Sequence, residues 1–397
     1  MKTFVNEAAA EAASIFNFWI NETEDNKNGG FIGAIDGDGT KHPEAEKGAV
    51  LNARILWSFS AGYRVFKNPE YLASAKREFD YLIKYFIDKD FGGVYWMLDC
   101  KGNPVNTRKQ IYAQAFAIYG LVEYYKITSD KNALDQAIKL YELIEKYSFD
   151  PVKNGYFEAY SREWVLLEDL RLSDKDKNEK KTMNTHLHVL EAYTNLYRVW
   201  KDKNLENRLI NLINVFLEKI IDNKRGFFNL FFDEDWTHKS EENSYGHDIE
   251  GSWLLWEAAE VSQNEDIKAK CKPICIDMAE QAYRDGLDKD GGLMSEGLFG
   301  KLTDTDKHWW PQAESVIGFA NAWQLTGDDK FIKASLNSWT FIKNHIIDKH
   351  KGEWFWRVSR DLKVYPQEQK TGPWKCPYHN SRMCMEIVER FSTTNAD

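Results

Sequence analysis

Six glycine turns recur along the chain at a nearly constant spacing, and this repeat constrains the possible fold more than any other feature. Each turn has one or two glycines followed by large apolar or aromatic residues, as in Gly92-Gly93-Val94-Tyr95-Trp96. The first glycines lie 63, 63, 71, 65 and 61 residues apart. Glycine accepts positive φ, as do the Asn or Asp residues near several of these turns, so each repeat is predicted to contain a tight turn or hairpin. The six turns begin at Gly29, Gly92, Gly155, Gly226, Gly291 and Gly352.

Two helical patterns lie between successive turns. One set is apolar on most faces, which predicts buried helices, and the other carries Lys, Glu and Asp on one face, which is typical of an outer amphipathic helix. The first set covers 49–66, 110–127, 183–200, 247–262, 311–325 and 379–391. The second set covers 4–22, 69–88, 131–148, 204–222, 265–286 and 328–348.

Six helix pairs predict an all-α (α/α)6 barrel, a toroid of six helical hairpins. An open solenoid of helix pairs is the alternative. The count of six favours closure, as does the length of each repeat, which leaves room for a loop hairpin beside the two helices. We therefore expect residues 1–397 to form a single (α/α)6-barrel catalytic domain.

Composition limits the partners and the cellular setting. The net charge of -10 argues against nucleic acid or an anionic membrane as a partner. The five cysteines form no CxxC motif, which fits reduced thiols, and no segment has the length of a transmembrane helix. Glu7 and Glu11 interrupt the N-terminal stretch where a signal peptide needs an apolar run. We expect a cytoplasmic monomer.

Polar and aromatic residues stand at the starts of the inner helices, where packing alone would favour Leu, Val or Ala. Because every inner helix follows its turn in the same direction, these starts should face one mouth of the barrel. The segment Arg171–Lys181 before the third inner helix is expected to be a solvated loop, with a role as a rim over the site as the alternative. The candidate site residues are Arg54, Tyr112, Asn184, His188, His247, Glu250, Trp309, Trp310, Glu314, Trp374, His379 and Arg382.

Helical phase separates the two histidines of the stretch Asn184-Thr185-His186-Leu187-His188. Residues four apart share a helix face, so Asn184 lies with His188, and Glu191 follows three residues later. We expect His188 to line the cavity and His186 to be structural. The same helical period places His247 and Glu250 on one face of their helix, and His379 and Arg382 on one face of theirs.

Three histidines and an arginine around an aromatic cavity suit acid/base chemistry near neutral pH. Metal binding is one alternative, but no set of three or four ligands stands at a standard spacing, so we expect no metal. Glycoside hydrolysis needs two carboxylates, for which Asp248, Glu250 and Glu314 are the candidates. A catalytically silent sugar- or protein-binding toroid is a third alternative, and three converging titratable groups argue against it.

The chain contains four further motifs: NTHLH from Asn184, GHDIE from Gly246, KHWWPQAE from Lys307 and WKCPYHN from Trp374. Together they resemble those of the N-acylglucosamine 2-epimerase superfamily, and most closely its cellobiose 2-epimerase branch, along essentially the whole chain. The resemblance implies an (α/α)6 barrel, no cofactor, and reversible epimerisation at C2 of the reducing glucose in β-1,4-linked disaccharides such as cellobiose and lactose. An aldose–ketose isomerase acting on mannose, or an N-acylglucosamine 2-epimerase, remains the alternative within the superfamily.

The resemblance also implies roles for individual residues. His247 and His379 would be the acid/base pair on opposite faces of C2, acting through a ring-opened sugar and a cis-enediol(ate), and His188 would assist ring opening or proton movement near O1 and O2. Glu250 would orient His247 or bind a hydroxyl. The remaining substrate-binding set comprises Arg54, Tyr112 and Asn184 at O1, O2 or the enediolate charge, Trp309, Trp310 and Trp374 against the sugar rings, and Glu314 and Arg382.

Overall fold

Twelve α-helices make up most of the computed structural model, which describes residues 1–298 and 301–392. Short π-helical turns extend four outer helices at Leu82–Phe86, Phe216–Ile220, Ala282–Gly286 and Ile342–Ile346. The helices are α1 Lys2–Thr23, α2 Ala49–Phe66, α3 Pro69–Tyr81, α4 Ile111–Thr128, α5 Lys131–Tyr147, α6 Met183–Val199, α7 Lys203–Val215, α8 Tyr245–Ser262, α9 Glu265–Gln281, α10 Trp309–Thr326, α11 Asp329–Phe341 and α12 Tyr378–Ser392.

The even-numbered helices close into an inner ring. In order, α2 packs against α4, then α6, α8, α10 and α12 follow, and α12 packs back against α2. The odd-numbered helices lie outside, each beside the inner helix of its own repeat, except that α1 packs against α12 at the other end of the chain. The prediction of an (α/α)6 barrel is therefore confirmed, and the open solenoid is wrong. No helix in the described ranges carries an apolar stretch long enough to cross a membrane.

Short antiparallel strands tie neighbouring repeats together at the mouth where the inner helices begin. In five repeats, the residues just before an inner helix pair with the hairpin of the following repeat, as Lys181 does with Phe232. The strands are β1 Lys47–Gly48, β2 Met97–Leu98, β3 Pro104–Asn106, β4 Lys109–Gln110, β5 Ala159–Tyr160, β6 Lys181–Thr182, β7 Ile221–Asp222, β8 Phe227–Phe228, β9 Phe231–Phe232, β10 Glu242–Ser244, β11 Glu296–Leu298, β12 Lys301–Asp304, β13 Lys307–His308 and β14 Arg357–Val358.

A buried lysine connects the glycine turn to the inner helix in five of the six repeats. These anchor lysines stand two or three residues before an inner helix, and each pairs with an acid at the turn. In the third repeat, Lys181 Nζ donates to Asp150 Oδ2 and to the carbonyl oxygens of Asn154 and Glu234, each at 2.7 Å. The anchor lysines are Lys47, Lys109, Lys181, Lys307 and Lys375, and Asn243 holds the equivalent position in the fourth repeat.

In four of the pairs, the acid also builds the turn itself. Asp150 Oδ1 accepts from the backbone amides of Val152 and Lys153, which folds the chain back toward Gly155. Burial would raise the pKa of Asp150, but Lys181 and these amides hold it below its ordinary value. One carboxylate thus shapes the turn and fixes where α6 begins.

Five residues after the anchor position, a polar side chain holds the turn from the helix side in the second to fifth repeats. Gln114 Oε1 accepts from the Val94 amide at 2.7 Å, and His186 takes the same part in the third repeat. The Tyr156 amide donates to His186 Nε2 at 2.9 Å, while Nδ1 donates to the Thr182 carbonyl at 2.7 Å. Both nitrogens of His186 are occupied by backbone, so this histidine is structural, as the helical phase predicts.

Gly155 is required by this contact. Its φ is +84°, and a Cβ atom there would lie 2.4 Å from the Trp236 ring and 2.8 Å from His186 Nε2. A side chain at this position would therefore push the histidine off the turn.

Replacing an anchor lysine should destabilise the protein far more than replacing a surface lysine. Lys181→Met leaves the buried Asp150 carboxylate without its cationic partner, and breaking a buried pair in this way costs about 3–5 kcal/mol. Denaturant unfolding of Lys181→Met beside Lys203→Met, which alters an exposed pair with Glu206, measures the difference. Equal midpoints for the two variants would contradict the anchoring role.

Candidate active site

The side chains seven residues after the anchor positions meet inside the ring of inner helices. The Arg54 guanidinium lies 4.1 Å from the Phe116 ring centroid, and the Phe116 ring lies 4.6 Å from that of His188. On the other side of the ring, the Arg382 guanidinium donates hydrogen bonds to Glu250 and Glu314. The candidate residues do not all stand at the same distance from the anchor positions. Tyr112, Asn184 and Trp310 come three residues after the anchor position of their helix. His247 and His379 come four residues after it. The inner set is Arg54, Phe116, His188, Glu250, Glu314 and Arg382.

Arg382 is the central cation of the site. Its Nη2 donates to Glu250 Oε1 and to Glu314 Oε1, each at 2.7 Å, and its Nη1 donates to Glu191 Oε1 and Tyr378 Oη. The side chain is only 1% exposed. An arginine stays charged in such surroundings, so it neutralises carboxylates that burial would otherwise protonate.

Arg382 leaves Glu250 and Glu191 with different pKa values. Burial raises the pKa of Glu250 to about 8, with the nearby Glu314 carboxylate adding to the shift and Arg382 opposing it. Burial would also raise the pKa of Glu191, but Arg382 and His188 together lower it below its ordinary value. Glu191 is therefore an ionised carboxylate, whereas Glu250 holds its proton more tightly.

His379 is oriented by Glu314. Its Nδ1 lies 2.7 Å from Glu314 Oε1, an oxygen that also accepts from Arg382, so Nδ1 carries the hydrogen of this contact. Trp253 Nε1 donates to the other oxygen of Glu314 at 3.0 Å. Both oxygens of Glu314 are thus used within the protein, and His379 Nε2 is left for a ligand. Burial, with Arg54 and Arg382, lowers the pKa of His379 well below its ordinary value.

His247 has a different partner. Its Nδ1 lies 2.9 Å from the hydroxyl of Ser244, the residue before α8. Burial lowers the pKa of His247 to about 3, so it is neutral far below the ordinary histidine value. Glu250, expected to orient His247, instead accepts from Arg382. The Trp310 ring contacts both histidines, with centroid distances of 4.6 Å to His247 and 5.6 Å to His379.

His188 forms a pair with Glu191 on the same helix. Nδ1 of His188 lies 2.9 Å from Glu191 Oε2, and the rings of Tyr112 and Phe116 enclose the imidazole at 4.9 and 4.6 Å. Burial lowers the pKa of His188, although Glu191 acts in the opposite direction. The carboxylate fixes the hydrogen on Nδ1, which leaves Nε2 as the reactive nitrogen.

Arg54 and Asn184 retain polar atoms that could bind a ligand. Arg54 Nη2 donates to Tyr112 Oη at 2.8 Å, but Arg54 Nε and Asn184 Oδ1 are buried with no hydrogen-bond partner among the described residues. A bound hydroxyl or oxyanion would satisfy the arginine, and a hydroxyl would satisfy the amide oxygen.

Aromatic side chains form one wall of the site. The ring of Trp374 lies 5.9 Å from that of Tyr112 and 6.0 Å from that of Trp96. Trp309 lies elsewhere: it is 3% exposed and packs against Trp356 and the anchor Lys375. The structure therefore brings Trp310 to His247 and His379 and Trp374 to Tyr112, but it places Trp309 in the core.

A cavity of about 480 Å³ leads into the site from the mouth of the barrel. Asn184, His247 and Trp310 line it on the inner side, and its other wall includes residues of the segment expected to be a solvated loop. Arg171–Lys181 therefore lies over the site as a rim. The volume lies in the range of ordinary ligand pockets.

Glu250, Glu314 and His379 place ligand atoms within 4.8 Å of one another, a spacing that a metal ion could use. However, the Arg382 guanidinium already binds both carboxylates, and His379 Nδ1 donates to Glu314. A metal ion would have to displace this arginine, so the donor set fits an ion-pair network better than a metal centre.

Four residues that position the candidate groups were not among the predicted site residues, although Glu191 was noted three residues after His188. Ser244 binds His247, Glu191 binds His188, and Trp253 and Tyr378 complete the networks around Glu314 and Arg382. Ser244 and Glu191 could be detected from the sequence, because each lies three residues from its histidine, a spacing that brings side chains together on a helix. The partners of Trp253 and Tyr378 on other helices had no signal in the sequence.

The comparisons with known proteins agree on the class. The family model of N-acylglucosamine 2-epimerase (GlcNAc 2-epimerase) matches residues 30–382. The chain belongs to this family, whose members act on small sugars, and it is a carbohydrate epimerase of the isomerase class.

Within the family, the chain groups with the cellobiose 2-epimerases. It is 50% identical to the cellobiose 2-epimerase of Bacteroides fragilis over 94% of this chain and 95% of that one. The solved cellobiose 2-epimerase of Bacillus thermoamylovorans B4167 matches with a TM-score of 0.95 at 44% identity, over 98% of this chain and 100% of that one. A D-mannose isomerase of Marinomonas mediterranea is more distant, at 24% identity over 98% of this chain and 97% of that one.

Removing the Ser244 hydroxyl should impair catalysis without weakening the fold. Ser244 precedes α8 but makes no side-chain cap bond, so Ser244→Ala loses only the contact that orients His247. One lost hydrogen bond to a buried group is worth about 1–3 kcal/mol, so kcat is expected to fall by roughly tenfold or more while KM changes little. Steady-state kinetics measure both constants.

A second pair of variants separates orientation from helix capping. Ser244→Thr keeps the hydroxyl and should restore most of kcat. Asn264→Ala removes a true side-chain cap, on α9, and should lower the melting temperature while leaving kcat unchanged. An unchanged kcat in Ser244→Ala would refute the orienting role.

Proposed function

We propose that the protein catalyses reversible epimerisation at C2 of the reducing-end glucose in β-1,4-linked disaccharides such as cellobiose and lactose, forming the mannose epimer. The observation that carries the proposal is the pair His247 and His379. Both contact the Trp310 ring, and each has its Nδ1 engaged by a partner so that Nε2 is free. Inversion at a carbon by proton transfer needs two such groups, one for each face.

The reaction begins with opening of the sugar ring, which exposes an aldehyde at C1 and so makes the C2 proton acidic. One histidine removes this proton through Nε2, leaving a cis-enediolate. The other histidine begins this step as an imidazolium that carries a solvent-derived proton on Nε2; it returns that proton to the opposite face of C2 and becomes neutral. Imidazole suits both tasks, because the neutral ring accepts a proton and the imidazolium, made more acidic here by burial, donates one.

Charge that develops on O1 and O2 in the enediolate needs fixed donors. Arg54 is permanently charged and its Nε has no partner in the described chain, and Tyr112 Oη lies beside it. Donors held in advance at a developing negative charge lower the barrier without reorganisation. We assign His188, backed by Glu191, to proton movement at O1 and the ring oxygen.

The second sugar ring has aromatic surfaces available. Trp310 lies against the histidines and Trp374 lies against Tyr112, so the two tryptophans offer flat apolar faces near the reacting carbon. Asn184 adds a hydrogen-bond acceptor at the cavity wall. Glu250, Glu314 and Arg382 are assigned a positioning role in the ion-pair network rather than direct contact with the sugar. The proposal takes the chain as one catalytic domain that acts as a monomer in the cytoplasm.

An aldose–ketose isomerase acting on mannose is the second candidate, and the similarity to a D-mannose isomerase favours it as the alternative. The two reactions share the enediolate and differ in whether the proton returns to C2 or to C1.

NMR of cellobiose incubated with the protein in D₂O, with EDTA present, tests the proposal. We expect glucosyl-mannose to appear with deuterium at C2, because the proton delivered to C2 comes from a histidine in exchange with solvent. Unchanged cellobiose, together with conversion of mannose to fructose, would support the isomerase instead.

Replacing either proposed base should abolish epimerisation and leave the fold intact. General acid/base groups contribute a factor of about 10²–10⁴, so His247→Asn and His379→Asn are each expected to lose at least this much in kcat. His350→Asn alters an exposed histidine outside the site and should be fully active. Normal turnover by either of the first two variants, with circular dichroism unchanged, would end the two-base assignment.

A further inference from the structure

A second cavity lies inside the barrel, beyond the active site as seen from the mouth. It has a volume of about 150 Å³ and is lined by Glu191 and by residues further along the inner helices, including Trp57, Tyr119, Glu123 and Asn195. We call it the axial chamber. At about 30 Å³ per water molecule, it has room for roughly five.

The axial chamber continues to the protein surface. A larger cavity of about 660 Å³ at the same end shares part of its lining with the chamber, including Arg198, Glu257 and Glu389. Arg198 and Glu389 are exposed. The shared lining therefore connects buried Glu191 to solvent at the end of the barrel opposite the substrate mouth.

The inner helices stay polar along this path. Fourteen residues after their anchor positions, five of the six inner helices carry a carboxylate or an amide, and the sixth carries Ala61. Glu123, Asn195 and Asn321 are buried, and apolar side chains would fill these three positions if their only task were to close the barrel, because burying polar groups is costly. The five polar residues are Glu123, Asn195, Glu257, Asn321 and Glu389.

Trp57 supplies an independent sign that the axial chamber holds water. Its side chain is 5% exposed and stacks on Tyr119 at 5.2 Å, yet Nε1 has no hydrogen-bond partner among the described residues. An unsatisfied buried donor costs about 1–3 kcal/mol, and a water molecule in the chamber would accept this hydrogen bond.

Glu191 joins the chamber to the active site. Its Oε2 is 2.9 Å from His188 Nδ1, its Oε1 accepts from Arg382, and the same side chain lines the chamber. We propose that the axial chamber is a water-filled back entrance through which the His188–Glu191 pair exchanges protons with bulk solvent while a sugar fills the mouth.

The use of this route rests on the proposed function. Ring opening breaks the O1–H bond and the bond between C1 and the ring oxygen. It forms the C1=O1 double bond and an O–H bond at the ring oxygen. If His188 Nε2 takes the O1 proton, its Nδ1 proton passes to Glu191 and on to a chamber water. One proton returns by the same path for the ring oxygen, so no proton is gained or lost over the cycle. A bound sugar would occupy the cavity at the mouth during these steps, which would make a back entrance useful.

Exchange of tryptophan indole hydrogens tests the chamber directly. In ¹⁵N-tryptophan-labelled protein saturated with cellobiose, we expect the Trp57 indole hydrogen, assigned with Trp57→Phe, to exchange with water at least tenfold faster than that of Trp253. Trp253 is an internal reference because its Nε1 is buried and bonded to Glu314. Equal protection of both indoles would overturn the proposal.

Asn195→Leu places an apolar side chain in the chamber and should slow Trp57 exchange at least tenfold. It should also lower kcat for cellobiose by about tenfold with KM within twofold, because the substrate mouth is untouched. The matched control is Lys201→Leu, which lines only the outer cavity and should change neither quantity. Glu257→Leu serves if Asn195→Leu does not fold.

The outcomes separate the two proposals. Slow exchange in Asn195→Leu with an unchanged kcat would overturn the back entrance as a proton route and leave the epimerase intact. Absence of epimerisation by the unmodified protein would refute the proposed function, and the effect of Asn195→Leu on Trp57 exchange would still decide whether the chamber admits solvent.

Discussion

The buried guanidinium of Arg382 is the interaction on which the site depends. It joins α12 to three other inner helices by binding Glu191, Glu250 and Glu314. Removing charges from water is costly, and here several charge-assisted hydrogen bonds offset the cost. Glu191 and Glu314 in turn hold the Nδ1 atoms of His188 and His379. One arginine thus sets the position of two of the three histidines.

The anchor lysines give this network its register. Each ties the start of an inner helix to a carboxylate at the preceding turn, and that contact fixes which residues of the helix face the axis. In the third repeat, the three ammonium hydrogens of Lys181 are all used, so the start of α6 has little freedom. Histidines four or seven residues further on inherit this precision, because an α-helix is a rigid spacer. The fold and the site are therefore coupled at the turns.

Much of this arrangement could be predicted from the chain. The glycine spacing indicated six helical hairpins, and the helical period separated cavity-facing His188 from structural His186. Prediction was weaker where a side chain had a choice of partners. Trp309 and Trp310 are adjacent at a helix start, yet one packs in the core and the other contacts the histidines. Glu250 has the right phase to reach His247 but binds Arg382 instead.

The difference between the features that could be predicted and those that could not has a physical reason. Turn chemistry and helical period act over a few residues, so the repeat, the helix pairs and the helix face of each candidate residue can be predicted from the sequence alone. The meeting of Arg382 with Glu191, 191 residues earlier, depends on closure of the ring. Contacts between distant helices follow from how the six repeats pack together. The polar groups that meet across the ring, and the open axis beyond them, are therefore seen only in the tertiary structure.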